Sequence, residues 1–356
     1  MKQYFSLMDP LRLFAAVWVM NYHYLLGNEP NPALHWYRFG NLGVQIFFII
    51  SGFVIVQSIQ GKPLSEFALG RFLRLFPLFW ILCTVTYLLT VALPDHTYII
   101  HFSDYLRSMT MLSDALEHLL GPSTLVDSSY WTLTVELIFY VMIGVFVHYF
   151  TQRRLMYFFA FFLGTSMLTF ALHLENTYWA KLLLVDHAAY FVFGGALSLI
   201  MTKTYQSSWR LYGDYLLLAL AGLYATLIHG RALFAYETSN RYDNIAIVLI
   251  HVAMFVAIPC LAYLSRYIRD IRTIKILGLI GALTYPLYLL HQRIGNISIV
   301  LIIRHSSFAW IDVVLGMEFC MIIGSLVIAL YEPRIRYFLK LKITHMFSRP
   351  PALPIQ

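Results

Sequence analysis

Charge is what this chain lacks. Only 12% of its 356 residues are Asp, Glu, Lys or Arg, while 60% are hydrophobic. That balance excludes an ordinary soluble domain and leaves a polytopic membrane protein, all-α by the length of its apolar runs. Cysteine is equally sparse. Cys83, Cys260 and Cys320 all fall within apolar runs and are far apart, which excludes a disulfide framework and any close-spaced zinc site. Gly/Ser-rich linkers, internal repeats and low-complexity tracts are absent, so the reading is one transmembrane domain over residues 1–340. A short basic, Pro-containing cytoplasmic tail follows over 341–356. The opening MKQYFSLMDP has no signal-peptide cleavage site, and the first apolar run is expected to be retained as a helix. The net charge of +7 does not point to nucleic acid, because the basic residues sit in short loops between apolar runs and suit a membrane surface.

Hydropathy predicts about ten spans: Leu7–Gly27, Asn41–Gln60, Leu75–Leu93, Trp131–Phe150, Leu155–Leu172, Leu182–Met201, Leu211–His229, Asn244–Leu264, Ile276–Ile303 and Phe308–Tyr331. With a cytoplasmic N-terminus, seventeen Lys and Arg fall in inner segments, Lys2, Lys203 and Arg349 among them. Six fall outside: Arg38, Arg107, Lys181, Arg231, Arg241 and Arg304. This bias places both termini in the cytoplasm. The longest outer segment, Pro94–Tyr130, carries Asp95, Asp104, Asp114, Glu117 and Asp127, with a short surface helix expected near Ser103–Leu112. It reads either as the meeting place for an external substrate or as a solvated loop.

Ionisable residues inside spans are the functional candidates. Arg12 and His23 are eleven residues apart in the first span. On a helix they share a face and stand roughly 16 Å apart along the axis, with the modest Ala15, Ala16 and Val19 between. Such a wall could line a path for a thin, extended molecule; the alternative is that Arg12 snorkels to one interface and His23 sits in the other. Arg71 and Arg74, with Lys62 near, form either a phosphate clamp or an ordinary positive-inside anchor, and Pro77 reads as the start of the third span. Ser51 and Gly52 fall near the midplane, where a glycine lets a ligand approach the backbone. Glu136 lies roughly 7–8 Å below the outer end of the fourth span, and His291 roughly 22 Å along the ninth, with Tyr285, Tyr288 and His291 stepping along one side. His23, Glu136 and His291 are thus expected at similar depth. A carboxylate beside an imidazole makes a general-base site or a structural ion pair. The spacing does not suit a metal.

Several separate stretches resemble one family, the acyltransferase-3 family of integral-membrane O-acyltransferases that modify bacterial surface glycans. An arginine, ten residues and a histidine match at Arg12 and His23. FFxISGF matches at Phe47–Phe53. Paired arginines before a proline match at Arg71, Arg74 and Pro77. S-x-W-x-L-x-x-E-x-x-F-Y matches from Ser129 through Trp131 and Glu136 to Tyr140. The S/T-Y-P-L-Y-L-x-H pattern matches at Thr284–His291, with Glu332-Pro333 following. Leu75 stands where the family usually has isoleucine. No fused hydrolase-like domain is expected after the last span.

The resemblance implies transfer of an acyl group, usually acetyl, from cytoplasmic acetyl-CoA or another acyl-CoA to a hydroxyl of an extracytoplasmic glycan. A lipopolysaccharide O-antigen, an exopolysaccharide or a lipid-linked glycan would serve, at a bacterial inner membrane and without a metal. In that reading Arg12, Arg71 and Arg74 hold the CoA phosphates and the pantetheine arm passes Ala15, Ala16 and Gly52, with Ser51 beside it. His23 is the general base, or an acyl carrier, and Glu136 orients it. Trp131, Tyr288 and His291 contact the acceptor or the oxyanion. The rivals are a secondary transporter with an intramembrane proton relay, for which no half-length repeat is present, and a multi-span acyltransferase acting on lipid or protein.

Overall fold

The computed structural model describes residues 4–25, 32–93, 99–202, 208–234 and 241–347. Lys2, Gly27, Asp95, Lys203 and Arg349 lie outside the described residues. Fourteen α-helices and no strand occur among those described. They are α1 (Met8–Leu25), α2 (Gly43–Ile59), α3 (Leu64–Ala92), α4 (Phe102–Ser108), α5 (Ser113–Leu120), α6 (Trp131–Tyr149), α7 (Leu155–Ala171), α8 (Tyr178–Leu182), α9 (Ala188–Met201), α10 (Ser208–Phe234), α11 (Arg241–Leu264), α12 (Ile271–Leu290), α13 (Arg293–His305) and α14 (Trp310–Phe347). Eight of these, α2, α3, α6, α7, α10, α11, α12 and α14, belong to helical stretches long and apolar enough to cross a membrane. The run Val185–Met201 containing α9 is a shorter apolar helix. The protein is a helical polytopic membrane protein whose outward-facing side chains are large and apolar, such as Leu88, Val91, Phe161 and Leu223, as a lipid-facing surface requires.

Two of the boundaries that differ from the hydropathy reading bear on the site. The third helix begins at Leu64, so Arg71 and Arg74 sit inside it, not in a loop before it. Pro63 with an extended backbone at the N-cap and Glu66 in the first turn start it there, and Pro77 lies within a continuous helix. The predicted ninth span is two helices, α12 and α13, with the chain turning at His291 and Gln292.

The centre is made by close crossings of α1, α2, α9 and α12. A Cβ on Gly52 would stand 2.2 Å from the Phe191 carbonyl oxygen of α9, and one on Gly194 would stand 1.8 Å from that of Ile49. Both glycines therefore let α2 and α9 touch backbone to backbone. At one end of the bundle, Gln152 binds the α2–α3 turn through Gly61 N and the Ile59 carbonyl, and Arg266 donates to the Met201 carbonyl. This is the end that carries Lys62, Arg153, Arg154 and Arg269, and it is called the basic end below. At the opposite end, α4, α5 and α8 form a cap, with Tyr178 donating to the Ala115 carbonyl.

Candidate active site

At the basic end a cavity of about 510 Å³ opens between α1, α2, α3, α12 and α14. Arg12, Arg74, Lys62 and Arg336 supply its cations, Asp9 and Glu332 its carboxylates. Asp9 accepts from Tyr4 and lies 3.4 Å from Arg12. Gly281 is the only residue type that fits opposite it, since a Cβ there would meet the Asp9 carboxylate at 2.4 Å. Arg12, Arg74, Gly281 and Tyr285 also line a second, narrower chamber of about 80 Å³ deeper in the bundle, so the two spaces meet at the arginines.

The deeper chamber holds Glu136 with Ser51, Phe47, Phe48, Thr132, Thr284 and Tyr288. Ser51 donates to Glu136 Oε1 at 2.9 Å and Tyr140 donates to the same oxygen. The charge of Glu136 reaches both Arg12 and Arg74. One turn towards the other end, Thr132 and Tyr288 share a hydrogen bond of 2.8 Å, and Tyr288 also donates to the Ser129 carbonyl.

One further turn brings two imidazoles together. The rings of His23 and His291 lie 5.3 Å apart, and Tyr288 is 5.3 Å from His291. His291 is buried. Its Nδ1 is 2.8 Å from the Tyr288 carbonyl, which can only accept, so the proton is on Nδ1 and the neutral ring presents Nε2 as an acceptor with no protein partner. What sets His291 there is the break between α12 and α13. Arg293 N donates to Asp127 at 2.8 Å, Tyr24 donates to the His291 carbonyl at 2.6 Å, and Tyr130 donates to that of Leu289. Asp127 is wholly buried and also accepts from the backbone and hydroxyl of Ser129, so it caps the starts of two helical segments at once.

The sequence-predicted residues divide as follows. His23 and His291 come together with Tyr288. Glu136 joins Arg12, Arg74 and Ser51 in the chamber below, and no hydrogen bond links it to His23. Arg71 lies outside both cavity linings and packs over the Tyr140 and Phe67 rings at 5.5 and 6.0 Å. Gly52 faces α9, not the chamber. Ala15, Ala16 and Val19 do lie between Arg12 and His23, but as buried packing: Ala15 and Val19 meet Gly43 of α2. The space that is open beside Arg12 is lined instead by Thr132, Thr284 and Tyr288.

Trp131 lies on the other face of α6, in a cleft of about 760 Å³ beneath the cap, with Glu117, Asn176, Lys181, Asp186 and His187. Phe48 stacks 4.8 Å from His187 and 6.2 Å from Trp131, and so divides this cleft from the Glu136 chamber. No group of His, Cys, Asp and Glu among the described residues could hold a metal ion.

A family model described as an acyltransferase domain matches residues 6–330. Over 149 residues the chain is 31% identical to an O-acetyl transferase of Shigella phage Sf6, an alignment covering 38% of this chain and 44% of that relative. No solved structure matches. The match spans every element that builds the cavity, the chamber and the paired histidines except the end of α14, and the chain belongs to the acyltransferase-3 family.

Proposed function

We propose that the protein is a membrane O-acyltransferase that takes an acyl group, acetyl first, from acyl-CoA entering at the basic end and passes it to a hydroxyl of an extracytoplasmic glycan. Lipopolysaccharide O-antigen and exopolysaccharide are the acceptor classes in view. The basic end faces the cytoplasm of a bacterial inner membrane, by the positive-inside bias. The observation that carries the reading is the shared lining at Arg12 and Arg74. A cavity rich in cations leads at its floor into a narrow chamber, and that chamber ends at Tyr288, beside the paired imidazoles. A CoA molecule has the same layout, with phosphates at one end of a thin arm and a thioester at the other. The roughly 16 Å between Arg12 and His23 along α1 suits that arm.

In the reaction the acceptor oxygen attacks the thioester carbonyl while His23 takes its proton. The tetrahedral oxyanion collapses, the C–S bond breaks, and the imidazolium returns the proton to the leaving CoA sulfur. The products are the O-acyl ester and CoA thiol. General-base assistance of this kind contributes ~10²–10⁴-fold. Asp127 fixes the turn that keeps His291 beside His23, and His291 Nε2 accepts a hydrogen bond from the second ring nitrogen of His23 or from another hydroxyl of the acceptor. Glu136, fixed by Ser51 and Tyr140, shares the chamber lining with Arg12 and Arg74 at the donor end.

Vesicles of both orientations, supplied with acetyl-CoA labelled in the acetyl group, test the proposal. Label enters the glycan fraction in inverted vesicles, whose basic end meets the bath, and not in right-side-out ones. Label in lipid or protein alone defeats the glycan reading. Proton-coupled solute uptake with no acyl transfer favours the transporter.

A further inference from the structure

The basic-end cavity holds its cations in two pairs at different depths. Arg12 and Arg74 form the floor, where the Arg12 side chain is 15% exposed. Lys62 and Arg336 are at the rim, with side chains 41% and 43% exposed. Lys62 projects from the turn between α2 and α3, Arg336 from α14 beyond Pro333, so the rim pair straddles the mouth from two separate elements. Each rim cation rests on a carboxylate one helical turn away: Lys62 on Glu66 at 3.1 Å, Arg336 on Glu332 at 3.6 Å. The Lys62–Glu66 pair is exposed at both ends and contributes little, and the Arg336–Glu332 pair, with Glu332 only 19% exposed, is a single long contact; both cations can exchange to a stronger anion. The contact to Arg336 uses a single guanidinium nitrogen at long range, leaving the rest of the fork for another partner.

Two depths of positive charge match a ligand with two separated phosphate groups. Resting on the acyl-CoA donor reading, we propose that Lys62 and Arg336 form a rim site for the ribose 3′-phosphate of the CoA nucleotide, while Arg12 and Arg74 take the diphosphate that leads into the arm. The floor pair then sets the depth of the thioester. The rim pair makes the enzyme read the nucleotide end and discriminate CoA from the same molecule without its 3′-phosphate. Charge-assisted contacts from Arg and Lys to a phosphate dianion are the strong class of hydrogen bond, and the Arg contact is further strengthened by its fork. Neither rim residue is in the narrow chamber, so neither touches the acyl group.

The test is equilibrium binding of acetyl-CoA and of 3′-dephospho-acetyl-CoA to the purified full-length protein in lipid nanodiscs. Wild type binds acetyl-CoA about tenfold or more tightly than the dephospho form. Lys62→Ala and Arg336→Ala each weaken acetyl-CoA several-fold, and together they reduce it to the dephospho value. Both variants leave dephospho binding within about twofold. Glu332→Gln frees Arg336 without removing a cation and strengthens acetyl-CoA binding selectively. The preference shrinks in high salt, as contacts at an exposed rim do. Wild type binding both ligands equally overturns the rim site while keeping the donor reading. Rim variants that weaken both ligands alike also overturn it. Binding of neither ligand removes the donor reading and the rim site together.

Discussion

Asp127→Asn is the substitution with the sharpest structural consequence. Asp127 is wholly buried and uses both oxygens: Oδ1 accepts from the Ser129 backbone at 2.8 Å and its hydroxyl at 2.7 Å, and Oδ2 accepts from Arg293 N at 2.8 Å. Asparagine keeps the shape and the Ser129 contacts but turns an NH₂ towards the Arg293 N–H. One charge-assisted bond is lost and two donors are left facing each other in a dry site, a loss of about 1.5–3 kcal/mol. The lost bond is the one that starts α13, so the turn at His291 loosens, and from other helices Tyr24 and Tyr130 still hold it. A misplacement of ~1 Å at a reacting pair costs about 10²-fold. Thermal unfolding and steady-state acyl transfer, measured on the same purified sample, are the assays. The midpoint falls, the turnover number drops about 10²-fold, and acyl-CoA affinity holds, because the donor floor is built from α1, α3 and α12 below the break. Wild-type stability and turnover in Asp127→Asn refutes the argument, as does a variant that loses donor binding first.

Other outcomes follow from the same geometry. Gly194→Leu puts a Cβ where the Ile49 carbonyl oxygen stands at 1.8 Å, so α2 and α9 cannot close and the protein fails to accumulate in the membrane on immunoblots. Tyr140→Phe removes one of two bonds to Glu136 Oε1, for about 1.5–3 kcal/mol, and lowers acyl-CoA affinity by loosening Glu136 in the chamber it lines with Arg12 and Arg74; unchanged affinity rejects that role. Arg71→Ala weakens acyl-CoA binding less than Arg74→Ala, because only Arg74 lines the cavity; equal loss contradicts it. A single cysteine at Arg269, in a background lacking Cys83, Cys260 and Cys320, is shielded from an impermeant reagent in intact cells, whereas one at His101 is labelled.

The helical class was legible because runs of about twenty apolar residues with so little charge allow little else in a membrane. Of the three groups that helix geometry put at similar depth, His23 and His291 do meet, while Glu136 lies two turns below them with Arg12 and Arg74. The break after His291 was not legible. His-Gln-Arg is no breaker by composition, and what ends the helix is a carboxylate 166 residues earlier in the chain. Asp127 therefore read as one more acid in an outer segment. The start of α3 was misplaced because Pro77 looks like a boundary by soluble-protein rules, and a helix packed within a bundle tolerates it. Helix spacing put Arg71 beside Arg74, but three residues are also enough to send one guanidinium to the cavity and the other onto the Tyr140 ring. Gly52 shows the same limit: an absent side chain in sequence does not say whether a ligand or another helix occupies the space.

The central claim is that one end of the chamber binds the donor and the other does the chemistry. Acyl-CoA affinity and turnover of His23→Ala and Arg74→Ala, measured side by side on purified protein in nanodiscs, test it most directly. The account predicts that His23→Ala binds acyl-CoA like wild type and transfers nothing, while Arg74→Ala loses affinity at least tenfold. His23→Ala losing donor affinity while Arg74→Ala keeps it contradicts the account.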